Sequence, residues 1–212
     1  MPKRFDLDRG FVSRTPSAVM PQRHARLVVT LADLDAIALA DERAAALRVA
    51  DLVEFRLDRL DGLSAAAVLG DAAERAIVTC RPIREGGSFH GTEAEREVRL
   101  REALDRGTAF VDVEWDAPFA AALIAQCPAR VVLSRHDFAG MPRDLPRLVA
   151  EMAARRPAVV KLAVTPSSLA DVLRLREAGR AAGECPVVLI GMGAVGLPSR
   201  LLPTHILSLI HI

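Results

Sequence analysis

No excess of one charge sign runs through this chain: 28 Lys and Arg stand against 27 Asp and Glu, a formal +1. No summed field then favours nucleic acid or an anionic membrane surface, so a small molecule is the expected partner. Long apolar runs are missing too. None approaches the roughly 18 residues of a membrane span, which predicts a protein outside the membrane. The three cysteines, Cys80, Cys127 and Cys185, are odd in number, far apart and free of C-x-x-C or Cys/His metal spacing. That pattern predicts no metal site and suits a reducing cytoplasm. Tyrosine is absent, and the abundance of Ala and Arg beside it reads as base composition without functional message.

What is present suffices for one domain. The 212 residues are 51% hydrophobic, enough for a substantial core. Residues 1–25 carry basic side chains but no continuous apolar stretch, and read as a flexible leader rather than a secretory signal. From Arg26 onward, short β-branched runs alternate with longer Ala/Leu/Arg/Glu segments of helical period, the pattern of repeated βα units. Seven strands are predicted, around Val28, Phe55, Val78, Val113, Leu133, Lys161 and Leu189. Between them lie amphipathic helices such as TEAEREVRLREALDRG, with Thr92 as N-cap and Gly107 at its close.

Such a string fits an open doubly wound sheet or a closed (β/α) barrel. Central strands of an open sheet are apolar on both faces. Here Glu54, Arg56 and Asp58 alternate along one strand, and Asp112, Glu114 and Asp116 along another. A period of two sends each set to one side, which a barrel with a polar C-terminal mouth accommodates. The barrel is therefore preferred.

Four features carry chemistry. Lys161 lies in AVVKLAV, where aliphatic neighbours predict a buried strand. Burial strips hydration from an ammonium and disfavours its charged form, and a free amine attacks a ketone to form an imine. The blander reading is a lysine snorkelling from a strand end or paired with a carboxylate. His136, in VVLSRHDF, falls at the C-terminal end of the preceding strand, where barrels gather catalytic groups. Its ordinary titration range suits proton transfer near neutrality, although a hydrogen-bonded structural histidine fits the strand equally well. TCRPIREGG puts Arg81 at a strand end and Glu85 in a loop before a Gly-Gly pair that permits tight turns. Arg81 suits an anion or hydroxyl and Glu85 suits orienting a histidine; the alternative is a solvated charge pair, worth little. GMGAVGLPSR holds a literal G-x-G-x-x-G, but it follows the last strand, and no acidic residue lies about 20 positions on, so a dinucleotide site is rejected. Its glycines instead suit a close backbone approach to a ligand, with Arg200 gripping a carboxylate.

Together VEFRLD, TCRPIREGG, LSRHDF, VVKLAVTP and GMGAVGLPSR resemble, in order and spacing, the motif series of the type I 3-dehydroquinate dehydratases. The resemblance spans about Arg26 to Arg200. It implies an α/β fold, the (β/α)8 TIM-type barrel, and a homodimer converting 3-dehydroquinate to 3-dehydroshikimate in the shikimate pathway without metal or nucleotide cofactor. Residue by residue, it implies Lys161 as the imine-forming nucleophile, His136 as proton shuttle and Glu85 as the residue positioning that histidine. Glu54, Arg56 and Arg81 match residues holding substrate hydroxyls, and Arg200 the arginine on its carboxylate. Two other readings stay open: a class I aldolase-type barrel sharing Lys161, and a barrel fragment that binds without turnover.

The resemblance stops after SRLLP. A barrel domain of residues 26–203 is expected, lacking the eighth βα unit and the serine-glutamine lid of the family, with 204–212 as a non-family tail. That tail reads as a translated adapter or frameshifted end, or as the edge of a longer fusion with shikimate dehydrogenase.

Overall fold

The structure, a computed structural model, describes residues 26–60, 62–201 and 210–211; the leader and most of the tail lie outside them. The strands are β1 (Leu27–Leu31), β2 (Leu52–Arg56), β3 (Ala76–Thr79), β4 (Phe110–Glu114), β5 (Val131–Asp137), β6 (Val159–Val164), β7 (Val187–Gly191) and β8 (Ile210–His211). The helices are α1 (Ala36–Val49), α2 (Ala65–Leu69), α3 (Glu93–Asp105), α4 (Ala120–Gln126), α5 (Leu145–Ala154), α6 (Leu169–Ala178) and α7 (Leu197–Leu201). Each of the seven strands predicted from β-branched runs is found. Thr92 caps α3 through a full capping box with Glu95, and Gly107 takes φ +83° just beyond the helix.

All ladders are parallel, and the strand order is β7-β6-β5-β4-β3-β2-β1-β8. A doubly wound sheet reverses its order at a switch point. Here the order runs without reversal, and β8 falls beside β1, where a closing strand of a barrel belongs. Among the described residues β8 is two residues long, paired through Leu27 with Ile210 and Val28 with His211. No ladder joins β7 to β8 among the described residues, so the curled sheet keeps a seam there.

Period-two alternation divides the strands into two faces. Outward residues, among them Val53, Phe55, Val78, Val111, Val113 and Leu133, pack against Leu39, Leu100, Leu123 and Met152 of the helices in the main core. Burying each large apolar side chain there is worth roughly 1.5–3 kcal/mol. Inward residues form layers. The floor is apolar: Val28, Leu52 and Ile77 cluster with Phe110, which also meets the group Val132, Val159 and Val188. Two residues further along the same strands stand Thr30, Glu54, Thr79, Asp112, Ser134 and Lys161. The polar residues therefore occupy the C-terminal end of the lumen.

Candidate active site

Lys161 is 5% exposed on β6, opposite Ser134 of β5. Its burial matches the sequence expectation, but its surroundings are charged. Nζ donates to Asp112 Oδ2 at 2.9 Å and lies 3.6 Å from Glu54 Oε1. Glu54 is held from two sides, accepting from Thr30 Oγ1 at 2.9 Å and Thr79 Oγ1 at 2.6 Å. The other oxygen of Asp112 accepts from Ser134 Oγ at 2.5 Å and pairs with Arg81 Nη2 at 2.9 Å. Burial opposes the charge on Asp112, yet Arg81 and Lys161 outweigh it and hold this carboxyl well below the usual range.

Arg81 is itself 3% exposed and bridges both carboxylates of β4, its Nη1 donating to Glu114 Oε1 at 2.7 Å and to Ser134 Oγ of β5 at 2.8 Å. Glu114 also pairs with Arg96 of α3. Burial raises the Glu114 carboxyl despite both arginines. Three buried carboxylates, Glu54, Asp112 and Glu114, thus face three buried cations, Arg81, Arg96 and Lys161. Isolated, each would be very costly in the interior; paired and hydrogen-bonded, they compensate one another.

His136 lies two residues beyond Ser134 on the same face of β5, one strand from Lys161. Its Nδ1 is 2.9 Å from Glu85 Oε2, and its backbone N–H donates to the same oxygen at 3.0 Å. Burial, with Arg81 and Lys161 close by, lowers the imidazole to about 2, well below the near-neutral range expected from the sequence, and leaves it neutral. Glu85 is pushed up to about 7, first by burial and then by Glu114, Asp116 and Asp112 against Arg81. The loop delivering Glu85 depends on its glycines. Gly86 sits at φ +75°, and a Cβ there would lie 2.3 Å from Phe138; one on Gly87 would lie 2.0 Å from the Arg81 carbonyl. The chain therefore folds back on itself, with Phe89 N–H donating to Arg81 O at 3.1 Å. A solvated loop does not describe this segment.

Arg56 makes a bidentate clasp on Asp58, at 3.0 and 2.7 Å, and Asp58 also accepts the backbone N–H groups of Arg81 and Ser88. Burial works against the Asp58 charge, but Arg56 and those two N–H groups lower this carboxyl on balance. Arg200 stands apart from the rest. It makes a 3.4 Å contact to Gly193 O, and its Nε is buried without a partner. Two of the nearby glycines, Gly191 and Gly196, let the backbone close on itself, while Gly193, at φ +70°, has open space around it. A Cβ on Gly196 would lie 2.0 Å from Gly191 O, and Ser199 Oγ ties the two ends by accepting from Gly191 N–H and donating to Gly196 O.

The structure brings Glu54, Arg81, Lys161, His136 and Glu85 together at one mouth, with Arg56 held on Asp58 and Arg200 apart, and adds Asp112, Glu114, Ser134 and Arg96, which sequence reading did not name as site residues. A signal existed for each acid: Asp112 and Glu114 share one side of β4, whereas Asp116 lies exposed beyond it, paired with Arg84. For Arg96 the signal was helical period, since the buried stripe of α3 is Arg96, Leu100, Ala103 and Leu104. Among the described residues no group of three or more His, Cys, Asp or Glu is arranged to hold a metal ion.

Of two cavities near this end, one of about 710 Å³ lies to the side, between Asp58, Phe89, Val98 and Arg99. The other, about 220 Å³, borders Glu85, His136, Trp115 and Arg135. Neither is lined by Lys161, whose surroundings are filled by its own ion pairs. Chemistry, rather than empty volume, locates the site.

Comparison with known proteins agrees with this geometry. A family profile described as Type I 3-dehydroquinase matches residues 27–211. A 3-dehydroquinate dehydratase of Methanothrix thermoacetophila is 35% identical over 148 residues, 69% of this chain and 65% of the relative's length. One from Methanocella arvoryzae is 38% identical over 159 residues, 72% of each chain. The solved structure of 3-dehydroquinate dehydratase from Enterococcus faecalis superposes with a TM-score of 0.77 at 25% identity, covering 88% of both chains. The chain belongs to the type I 3-dehydroquinase family.

Proposed function

We propose that this chain dehydrates 3-dehydroquinate to 3-dehydroshikimate, a hydro-lyase step of the shikimate pathway, through a Schiff base on Lys161. One observation carries the reading: a buried amine and a neutral imidazole stand on adjacent strands of one lumen face, the imidazole fixed through Nδ1 by Glu85. A proton beside a ketone is weakly acidic, and an iminium is a far better electron sink. The amine therefore acts before any base.

In this reading Lys161 Nζ adds to the substrate ketone, and loss of water gives the iminium. His136, its Nδ1 occupied by Glu85, uses Nε2 to take a proton from the neighbouring carbon. The electron pair enters an enamine and expels the hydroxyl one carbon further on, to which His136 returns the proton. Hydrolysis of the imine frees product and amine, so one water is lost overall. Glu54, Arg56 and Arg81 are assigned to the substrate hydroxyls. Arg200, whose Nε has no protein partner, is assigned to the carboxylate. We assign the full enzyme to the cytoplasm as a homodimer needing no cofactor. Of the described helices, none is long and apolar enough to cross a membrane.

The test adds 3-dehydroquinate to the purified chain and follows dienone absorbance, with borohydride trapping read by intact mass. Product absorbance and a reduced adduct on Lys161 are expected. An unchanged mass with substrate and reductant present refutes the imine.

A further inference from the structure

Arg96 is fully buried, yet it comes from a helix outside the strand wall and takes no part in the chemistry proposed above. Its guanidinium reaches past the end of β3, where Nη1 donates to the Cys80 carbonyl at 3.2 Å and pairs with Glu114. Nη2 pairs with Glu93 at 2.7 Å, and the plane lies over Phe119 with 5.0 Å to the ring centre. Glu114 passes the contact to Arg81, Arg81 to Asp112, and Asp112 to Lys161 Nζ, by bonds of 2.7, 2.9 and 2.9 Å. Buried ion pairs are a poor device for stability, because apolar residues of equal volume do as well. A continuous line of them ending on one amine suits positioning.

We propose that Arg96 is a positioning residue for Lys161, acting through Glu114, Arg81 and Asp112; this rests on reading Lys161 as the reacting amine. Arg81 is shared between two acids, and the sharing depends on Glu114 having a second cation. Without Arg96, both Arg81 nitrogens are drawn to Glu114. Asp112 is then released to Lys161, which already has Glu54 at 3.6 Å on its other side. Loss of Arg96 also takes one positive charge from the buried cluster that holds Glu54, Asp112 and Glu114. Both effects tie the amine more tightly into its ion pairs and make it less reactive. At an effective dielectric near 20, one unit charge about 12 Å away alters the reactivity of a charged group by about tenfold.

The chain has only two lysines, Lys3 and Lys161, so amine reactivity can be read directly without substrate. Carbamylation by cyanate at fixed pH, measured by peptide mass as the ratio of Lys161 to Lys3, is compared in folded wild type and variants. Arg96→Met should lower the ratio about tenfold, and Arg96→Lys, which keeps the charge but not the fork, about threefold. Adding Glu114→Gln to Arg96→Met removes a negative charge to match the positive one lost and should bring the ratio back toward wild type. Arg130→Met, which removes an arginine bonded only to the Thr108 and Leu104 carbonyls, should leave it unchanged. A wild-type ratio in Arg96→Met, or no recovery in the double variant, overturns the proposal. If Arg96→Met does not fold, the Arg96→Lys ratio decides alone, and a value equal to wild type overturns it. Borohydride trapping with dehydroquinate is run beside these. Failure of wild type to trap refutes the Schiff-base reading while leaving the labelling pattern to judge Arg96.

Discussion

Val132 and Ser134 sit two residues apart on β5, face the same lumen and are both almost completely buried. The first closes an apolar floor with Val159 and Val188. The second has its hydroxyl between Asp112 and Arg81. A single step along the pleat, about 7 Å at ordinary strand rise, separates surroundings that refuse polarity from surroundings that require it. Burial alone does not decide what a lumen residue must be. Its distance from the C-terminal mouth does, because charged side chains there find partners on neighbouring strands and those at the floor find none.

Four substitutions sharpen this contrast. At the mouth, Lys161→Ala should abolish the borohydride-trapped adduct and all measurable dehydration, checked by intact mass and dienone absorbance. His136→Ala should still trap substrate while turnover falls about 10³-fold, the scale of a lost general acid-base; loss of trapping as well would remove the histidine from its assigned role. At the floor, Val132→Thr keeps shape but buries a hydroxyl without partners. We expect a cost of about 1–3 kcal/mol in denaturant unfolding with Lys161 reactivity unchanged. The last substitution concerns Glu85, whose carboxyl is raised from 4.5 to about 7. A raised group binds more protons in the folded state, so its contribution is complete below pH 4.5 and is lost as pH rises through about 7. Glu85→Gln should erase that decline. Thermal midpoints measured across this window should converge at the acid end and favour the variant at the neutral end, and parallel curves would contradict the assignment.

Much of this architecture was legible beforehand because it rests on local rules. Strand positions follow from β-branched runs, the start of α3 from Thr92 and Glu95, and the polar face of β4 from its alternating acids. Partnership was not legible. Asp112 and Lys161 are 49 residues apart and on strands that are not neighbours, so no spacing in the chain joins them. Sequence reasoning gave Lys161 a dry, apolar setting from its aliphatic neighbours on β6. Those neighbours describe the strand, while the lumen is furnished by β2 and β4. Arg96 shows the same limit on a helix. EREVRLRE is so rich in charge that helical period alone marks which arginine turns inward, and what it meets there is set by Glu114 on another element.

The paired glycines after Arg81 have a consequence for how such a site tolerates change. Neither contributes an atom to any reaction, yet an added methyl at 86 or 87 collides with Phe138 or with the chain itself. In a saturation mutagenesis survey position 87, where the clash is with backbone, should prove the less tolerant, and position 86 should be limited by its left-handed φ of +75°. Their variants should fail by losing the Glu85 contact to His136 rather than by unfolding the barrel. Part of the enzyme's reactivity is thus inherited through two residues that have no side chain to inspect.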